Sequence, residues 1–267
     1  TELVMGSRRQ KFYLPTSPEL SLKKLLAQGY SEIFEIKNCF RNGEISERHQ
    51  PEFYMLEWYR TFCDLSQIQQ DISHLFEYLA EVLPNSRYYK KTFQFHKKSM
   101  SQLFADHLQF ELTPTTSIEE LKVLAAKLGL HAQDYNLWDD VFYLIFIEKI
   151  EPFLDSTEPM FVEKYPPSQA ALARLTGDGW GDRFELYWQG LELANAFHEL
   201  NDPVLQEQRF NEDLEKKKQT GREVPPLDTD FIKALYQGMP PAAGIALGLE
   251  RLFMVFYGIA DIGEIRR

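Results

Sequence analysis

Residues 34–59 read FEIKNCFRNGEISERHQPEFYMLEWY, and the fold turns on them. Ile33-Phe34-Glu35-Ile36 has the composition of a strand, and so does the run FYMLEWYR over 53–60. Between them, residues 41–52 are polar and contain Gly43 and Pro51, which predicts a loop. Two strands around a long polar loop predict an antiparallel pair with an extended connection. On the second strand Phe53, Met55, Glu57 and Tyr59 fall on one face, because successive strand side chains alternate. A glutamate in line with aromatic residues is unusual for pure core and points to a pocket wall. The loop itself carries Arg41, Arg48 and His49. Arginines placed this way can clamp phosphate oxygens, although the loop alone reads better as a charged, solvated hairpin tip.

Upstream, Thr16-Ser17-Pro18-Glu19 predicts a helix start. Ser17 suits the cap, Pro18 the first helical position and Glu19 the positive helix end. This helix continues to Gly29. Downstream, Asp64 to Leu83 predicts an amphipathic helix, with Leu65, Ile68, Ile72, Leu75, Phe76 and Leu79 at helical spacing. Residues 100–160 predict a helical insertion between two blocks of sheet. Within it Ser117 and Glu120 form a capping box, Gly129 closes a helix, and a further helix covers about Leu137 to Phe153. Phe184 to Gln189 alternates as a strand, and Lys233 to Gln237 predicts a short helix. Gly244 to Gly248 predicts a strand entering a helix that runs to Tyr257. The expected fold is α+β, a single domain over 1–267 with an antiparallel sheet flanked by helices.

The chain has 267 residues, 44% hydrophobic and 14% aromatic, enough for a sizeable core without covalent staples. Cys39 and Cys63 are the only cysteines, which excludes a disulfide framework and suits a reducing, cytoplasmic setting. The formal charge of −11 argues against broad adhesion to nucleic acid. The longest clean apolar run, Val141 to Ile147, is far too short to cross a bilayer, so no membrane association is expected.

Two further clusters carry chemistry. In RFELYWQGLELANAFHELND (183–202), Glu185, Glu192 and Glu199 recur every seven residues, with Asn195 and His198 between. A regular strand would send Glu185 and Glu192 to opposite faces. A bulge at Gln189–Gly190 would bring both carboxylates to one side. Two carboxylates converging there would repel, so a hard divalent cation such as magnesium is the expected partner. In GIALGLERL (244–252), small residues beside Arg251 permit close backbone approach to a ligand. Read separately, these are an acidic protein's scattered glutamates and a glycine-rich strand end. Walker, GxGxxG, HExxH and nucleophile-elbow patterns are all missing.

In this order the clusters resemble the class II aminoacyl-tRNA synthetases. Residues 34–59 are similar to the family's motif 2, and GIALGLERLFMVFYG (244–258) to its motif 3. TSPELSLKKLL (16–26) and ELANAFHELND (192–202) narrow the resemblance to the lysyl branch. Within that branch the chain looks closest to the elongation factor P–(R)-β-lysine ligases. PPSQAALARL (166–175) and GLELANAFHEL (190–200) resemble that group, no anticodon-binding barrel precedes residue 1, and Ala246 stands where lysyl synthetases usually have glycine. An extra methyl at Ala246 would reshape the amino-acid pocket.

The resemblance implies ATP as substrate with magnesium. Arg41 would hold the α-phosphate, Phe53 would stack on adenine, and Arg251 would pack opposite, near the γ-phosphate; Arg41 and Arg251 are the expected catalytic pair. Asn42, Gln50, Glu192, Leu193 and Gly248 would complete the nucleotide site, with Glu185 and Glu192 as magnesium ligands. Ser17, Glu19, Glu57, Tyr59, Asn195 and Glu199 would surround a lysine-like amino acid, Glu19 and Glu199 taking one amine at each end. The acceptor implied is elongation factor P, with tRNA the second choice, and the full-length form is expected to be a homodimer. The chain departs from the family at Gly43, where motif 2 usually has glutamate (Glu44 follows), and at Gln50, where asparagine is usual; motif 1 is not recognisable. The alternatives are a lysyl-tRNA synthetase catalytic fragment and a non-catalytic synthetase-like binding or regulatory protein.

Overall fold

The computed structural model describes residues 2–5, 8–11, 13–219 and 226–265. A short hairpin, β1 (Glu2–Met5) and β2 (Arg8–Lys11), precedes helix α1 (Glu19–Ala27). Strands β3 (Glu32–Phe40) and β4 (Glu52–Thr61) follow, then α2 (Leu65–Val82) and β5 (His96–Ser99). Helices α3 (Met100–Leu108), α4 (Ile118–Lys127) and α5 (Trp138–Lys149) lead to β6 (Met160–Tyr165). Next come β7 (Gly181–Trp188), β8 (Leu191–His198), α6 (Pro203–Gln219), α7 (Thr229–Gly238), β9 (Ala242–Gly248) and α8 (Leu249–Tyr257).

Seven strands form one sheet in the order β3-β4-β9-β8-β7-β6-β5. Every pairing in it is antiparallel except β5 with β6. A parallel pair needs a crossover of about a dozen residues or more, and the helical insertion α3–α5 is that crossover. Its helices bury Leu103, Phe104, Leu121, Val141, Phe142 and Ile145 against one another and against Val162 and Tyr187 of the sheet.

The predicted antiparallel pair around the polar loop is β3–β4, with Cys39 opposite Phe53 and Glu35 opposite Glu57. The amphipathic helix is α2. Asp64 caps it by accepting from Ser66 N and Gln67 N, and Gln67 answers back to Asp64 N. The capping box of Ser117 and Glu120 opens α4, and Gly129 follows with φ +75°, a conformation that favours glycine.

Boundaries differ where a local group outvotes periodicity. The helix expected to run to Phe153 ends at Lys149, and Glu151–Leu154 forms a separate 3₁₀ turn, since Pro152 brings no N–H to continue α5. The helix expected from Lys233 begins four residues earlier, because Asp228 accepts from Phe231 N at 2.9 Å. Sequence periodicity missed α6, which has few apolar positions, although Asp202 caps it by accepting from Val204 N and Leu205 N. It also missed β5 and β6.

One face of the sheet is apolar. Phe184, Leu186, Trp188, Ala194, Ala196, Ile245 and Leu247 project toward α2 and α8. Phe76 of α2 sits at the centre with no exposed surface, its ring 5.5 Å from Trp188 and 5.7 Å from Phe256. Truncating it leaves a large cavity among four aromatic rings. Phe76→Ala is expected to cost about 3–5 kcal/mol and to lower the urea denaturation midpoint; an unchanged midpoint would contradict this packing.

Candidate active site

The opposite face carries the polar groups, and strand register brings them together. Glu57 pairs with Ala246, Ala246 with Asn195, and Asn195 with Glu185, so four strands contribute one cross-sheet row. The neighbouring row is Tyr59, Gly244, Phe197 and Arg183. Above these rows lies a cleft of about 480 Å³. Of the predicted site residues, Ser17, Glu19, Arg41, Gln50, Phe53, Glu57, Glu192, Leu193, Asn195, Gly248 and Arg251 line it, as does Ala246. Asn42, Tyr59, Glu185 and Glu199 do not reach its wall. Asn42 is exposed in the loop, while the other three stand behind the lining residues.

The expected bulge is displaced. Gln189 and Gly190, with φ +51° and +69°, form a tight reversal between β7 and β8. The extra residue falls at Leu193, where pairing shifts from Leu186–Ala194 to Tyr187–Glu192. That shift puts Glu192 on the same face as Asn195 and Glu185.

The two ends of the cleft have opposite charge. At the first, Arg41 lies over the Phe53 ring, 5.2 Å from its centroid. Arg251 donates to Glu192 O at 2.7 Å and to Arg48 O at 3.3 Å, and its Nη2 lies 2.6 Å from His49 Nε2. A guanidinium can only donate, so Nε2 accepts and the ring proton resides on Nδ1, facing Ser46 Oγ at 2.9 Å. Burial and the adjacent Arg251 both lower the His49 pKa, consistent with a neutral ring. Arg48 donates to Gly190 O at 2.9 Å, and Ile262 N donates to Glu47 O at 2.8 Å. The β3–β4 loop is thereby fastened to the β7–β8 turn, to α8 and to the segment after it.

At the other end, Glu19, Glu57 and Glu199 converge. Glu57 Oε2 accepts from the Tyr59 hydroxyl at 3.1 Å. Burial, and then the Glu19 charge, push Glu57 up to about 8. Lys23 Nζ is 2.5 Å from Glu19 Oε1 and 2.5 Å from Glu199 Oε2. Glu19 and Glu199 therefore stand side by side about one ammonium, not at opposite ends of a substrate. Glu57 Oε1 and Glu199 Oε1 are buried without a hydrogen-bond donor, an expensive condition unless a ligand supplies one. Gly244 makes room for this group. A Cβ there would overlap the Tyr59 ring and come within 2.9 Å of Glu199 Oε1.

Glu185 has its oxygens occupied. Oε2 accepts from Tyr165 at 2.5 Å and Tyr187 at 2.6 Å, and Oε1 pairs with the buried Arg183. Arg183 also donates to Asn195 Oδ1 at 3.1 Å. Glu192 has Arg251 Nη1 at 3.9 Å. Partial burial in the cleft wall and the Glu185 charge raise Glu192 above the ordinary carboxylate range. Among the described residues no group of three His, Cys, Asp or Glu side chains can hold a metal by itself. Glu192, with Glu185 behind it, fits the other mode of magnesium binding, in which one or two carboxylates share the ion with nucleotide phosphates.

Sequence reading missed Lys23 and Arg183 as members of the site. The signals were present: Lys23 is one helical turn after Glu19, and Arg183 is two residues before Glu185 on a strand.

The raised Glu57 value has a sign. Its folded pKa of about 8 lies above the ordinary 4.5, so its stability contribution is full below 4.5 and is lost as pH rises toward 8. The melting temperature of Glu57→Gln minus that of the unsubstituted protein is expected to grow across this window and flatten above it. A difference that does not vary with pH would show that Glu57 titrates normally.

The sequence family described as tRNA synthetases class II (D, K and N) matches residues 2–267. An elongation factor P–(R)-β-lysine ligase of Pseudoalteromonas translucida is 38% identical over 260 residues, 96% of this chain and 76% of the relative. Ligases of the same description from Salmonella paratyphi B and Salmonella schwarzengrund are 36% identical over 264 residues, 97% of this chain and 78% of each relative. No helix among the described residues is long and apolar enough to cross a membrane. With its antiparallel sheet, its two-ended cleft and a family match across nearly its whole length, the chain belongs to the class II tRNA synthetases of the D, K and N group.

Proposed function

We propose that this chain is an AMP-forming ligase that activates a lysine-like amino acid, (R)-β-lysine, with ATP and transfers it to a lysine side chain of elongation factor P. The observation that carries the reading is the polarity of the cleft: arginines at one end, buried carboxylates with unpaired oxygens at the other. A nucleotide triphosphate suits the first end and a diamino acid the second. Support for the acceptor comes from relatives named for that ligation at 36–38% identity.

In the first step a carboxylate oxygen of the amino acid bonds to the α-phosphorus of ATP while the bond to pyrophosphate breaks. Arg41 and Arg251 steady the phosphates and their developing charge. Phe53 offers a face to adenine, with Asn42, Gln50, Leu193 and Gly248 around the nucleotide. Ser17, Glu19, Glu57, Tyr59, Asn195 and Glu199 hold the amino acid and fix its carboxylate in line. Glu192, backed by Glu185, would hold the magnesium that neutralises phosphate charge. In the second step the acceptor amine attacks the acyl carbon, AMP leaves, and the amine gives up a proton as the amide forms. The reading further includes one catalytic domain over residues 1–267, a homodimeric full-length form and a cytoplasmic setting.

The deciding assay supplies ATP, magnesium and labelled (R)-β-lysine or L-lysine, with elongation factor P or lysine tRNA as acceptor. Label on elongation factor P, preferentially from (R)-β-lysine, is expected. Label on tRNA from L-lysine would make the chain a tRNA synthetase, and no pyrophosphate exchange at all would overturn the enzyme reading. Arg251→Ala is expected to lower kcat by about 10²–10³-fold. Glu199→Ala should abolish selection of lysine-like substrates while ATP binding, followed by calorimetry, persists.

A further inference from the structure

Lys23 stands behind the anionic end of the cleft, with its side chain 1% exposed. It extends from α1 between Leu22 and Leu26, both buried, so the helix holds it in place. An apolar side chain would fill that position without the cost of desolvating an ammonium group. What the ammonium does instead is touch two carboxylates from separate parts of the chain, Glu19 in α1 and Glu199 just after β8. Glu199 is itself fixed by its backbone, which donates to Ala242 O at 2.9 Å.

Glu19, Glu57 and Glu199 bring three carboxylates to this end, and Lys23 is the ammonium placed among them. Two carboxylate oxygens, Glu57 Oε1 and Glu199 Oε1, remain without donors.

We propose that Lys23 is a positioning residue: its ammonium draws Glu19 and Glu199 together and so fixes the carboxylates that receive the substrate's ammonium groups. This rests on the reading of the cleft as a diamino-acid site. The partners of Lys23 are Glu19 and Glu199, both at the anionic end and away from Arg41 and Arg251, so its effect falls on amino-acid binding. Titration behaviour agrees. Burial alone would lower Lys23, yet Glu19 and Glu199 outweigh it and hold the group above the ordinary lysine range, so it stays charged. Burial raises Glu199, and Lys23 opposes that rise. Without the ammonium, Glu199 would be driven still further toward its neutral form.

The test is amino-acid-dependent ATP–pyrophosphate exchange with (R)-β-lysine and L-lysine. Lys23→Met keeps the length of the side chain and removes its charge. The expected result is an amino-acid KM raised about tenfold or more with the ATP KM within about twofold, and partial recovery in Lys23→Arg. Should Lys23→Met not fold, Lys23→Gln, which keeps a hydrogen-bond donor and removes the charge, is expected to give the same split between the two KM values. Amino-acid and ATP KM values that both stay unchanged, or that rise together, would overturn the proposal and leave the activation reading intact. No exchange by the unsubstituted protein with either amino acid would overturn both.

Discussion

Strand register governs this molecule. Antiparallel pairing of β4, β9, β8 and β7 aligns Glu57, Ala246, Asn195 and Glu185 in one row, and Tyr59, Gly244, Phe197 and Arg183 in the next. Because side chains alternate along each strand, the same register sends Ile245, Leu247, Phe184 and Leu186 to the other face, against α2 and α8. A slip of one residue in any central strand would exchange core for cleft. The aromatic packing around Phe76 and the chemistry of the cleft are two consequences of one hydrogen-bonded ladder. Among these four strands the ladder yields at Leu193, and the shift there brings Glu192 to the cleft side.

The cleft holds groups that a purely structural core would not. Buried carboxylates at Glu57, Glu185 and Glu199 each carry a desolvation cost. The chain offsets it locally: Arg183, Tyr165 and Tyr187 satisfy Glu185, Tyr59 reaches Glu57, and Lys23 reaches Glu199. The offset is complete at Glu185 and incomplete at Glu57 and Glu199, where one oxygen of each has no donor. That asymmetry separates Glu185, whose partners are complete, from Glu57 in the cleft wall and Glu199 behind it, each with an oxygen still free of a donor. Such local frustration is expected where binding, rather than stability, sets the residues.

Opposite the carboxylates, positive charge is delivered by a loop rather than by the sheet. The β3–β4 loop supplies Arg41 and Arg48, and hydrogen bonds from Arg48, Arg251 and Ile262 fasten it to three other segments. Glu250, at the start of α8, accepts from Tyr54 N at 3.0 and 2.9 Å and so ties the motif carrying Arg251 to β4. The polar loop that alone reads as a hairpin tip in solvent becomes one wall of the cleft through these contacts.

Much of this was legible in the residues. Alternation in FYMLEWYR assigned Glu57 and Tyr59 to a pocket face, and the spacing and caps of Asp64 to Leu83 assigned α2. Those are local properties, set by the period of the backbone and by side chains that reach their own helix ends. The class II resemblance brought the separated clusters into a single expectation. The sequence could not reveal that Glu19 and Glu199 meet at one ammonium, or that the reversal at Gln189–Gly190 leaves the bulge for Leu193. Those facts depend on partners up to 176 residues apart, which only cross-strand register and helix packing bring within hydrogen-bond range.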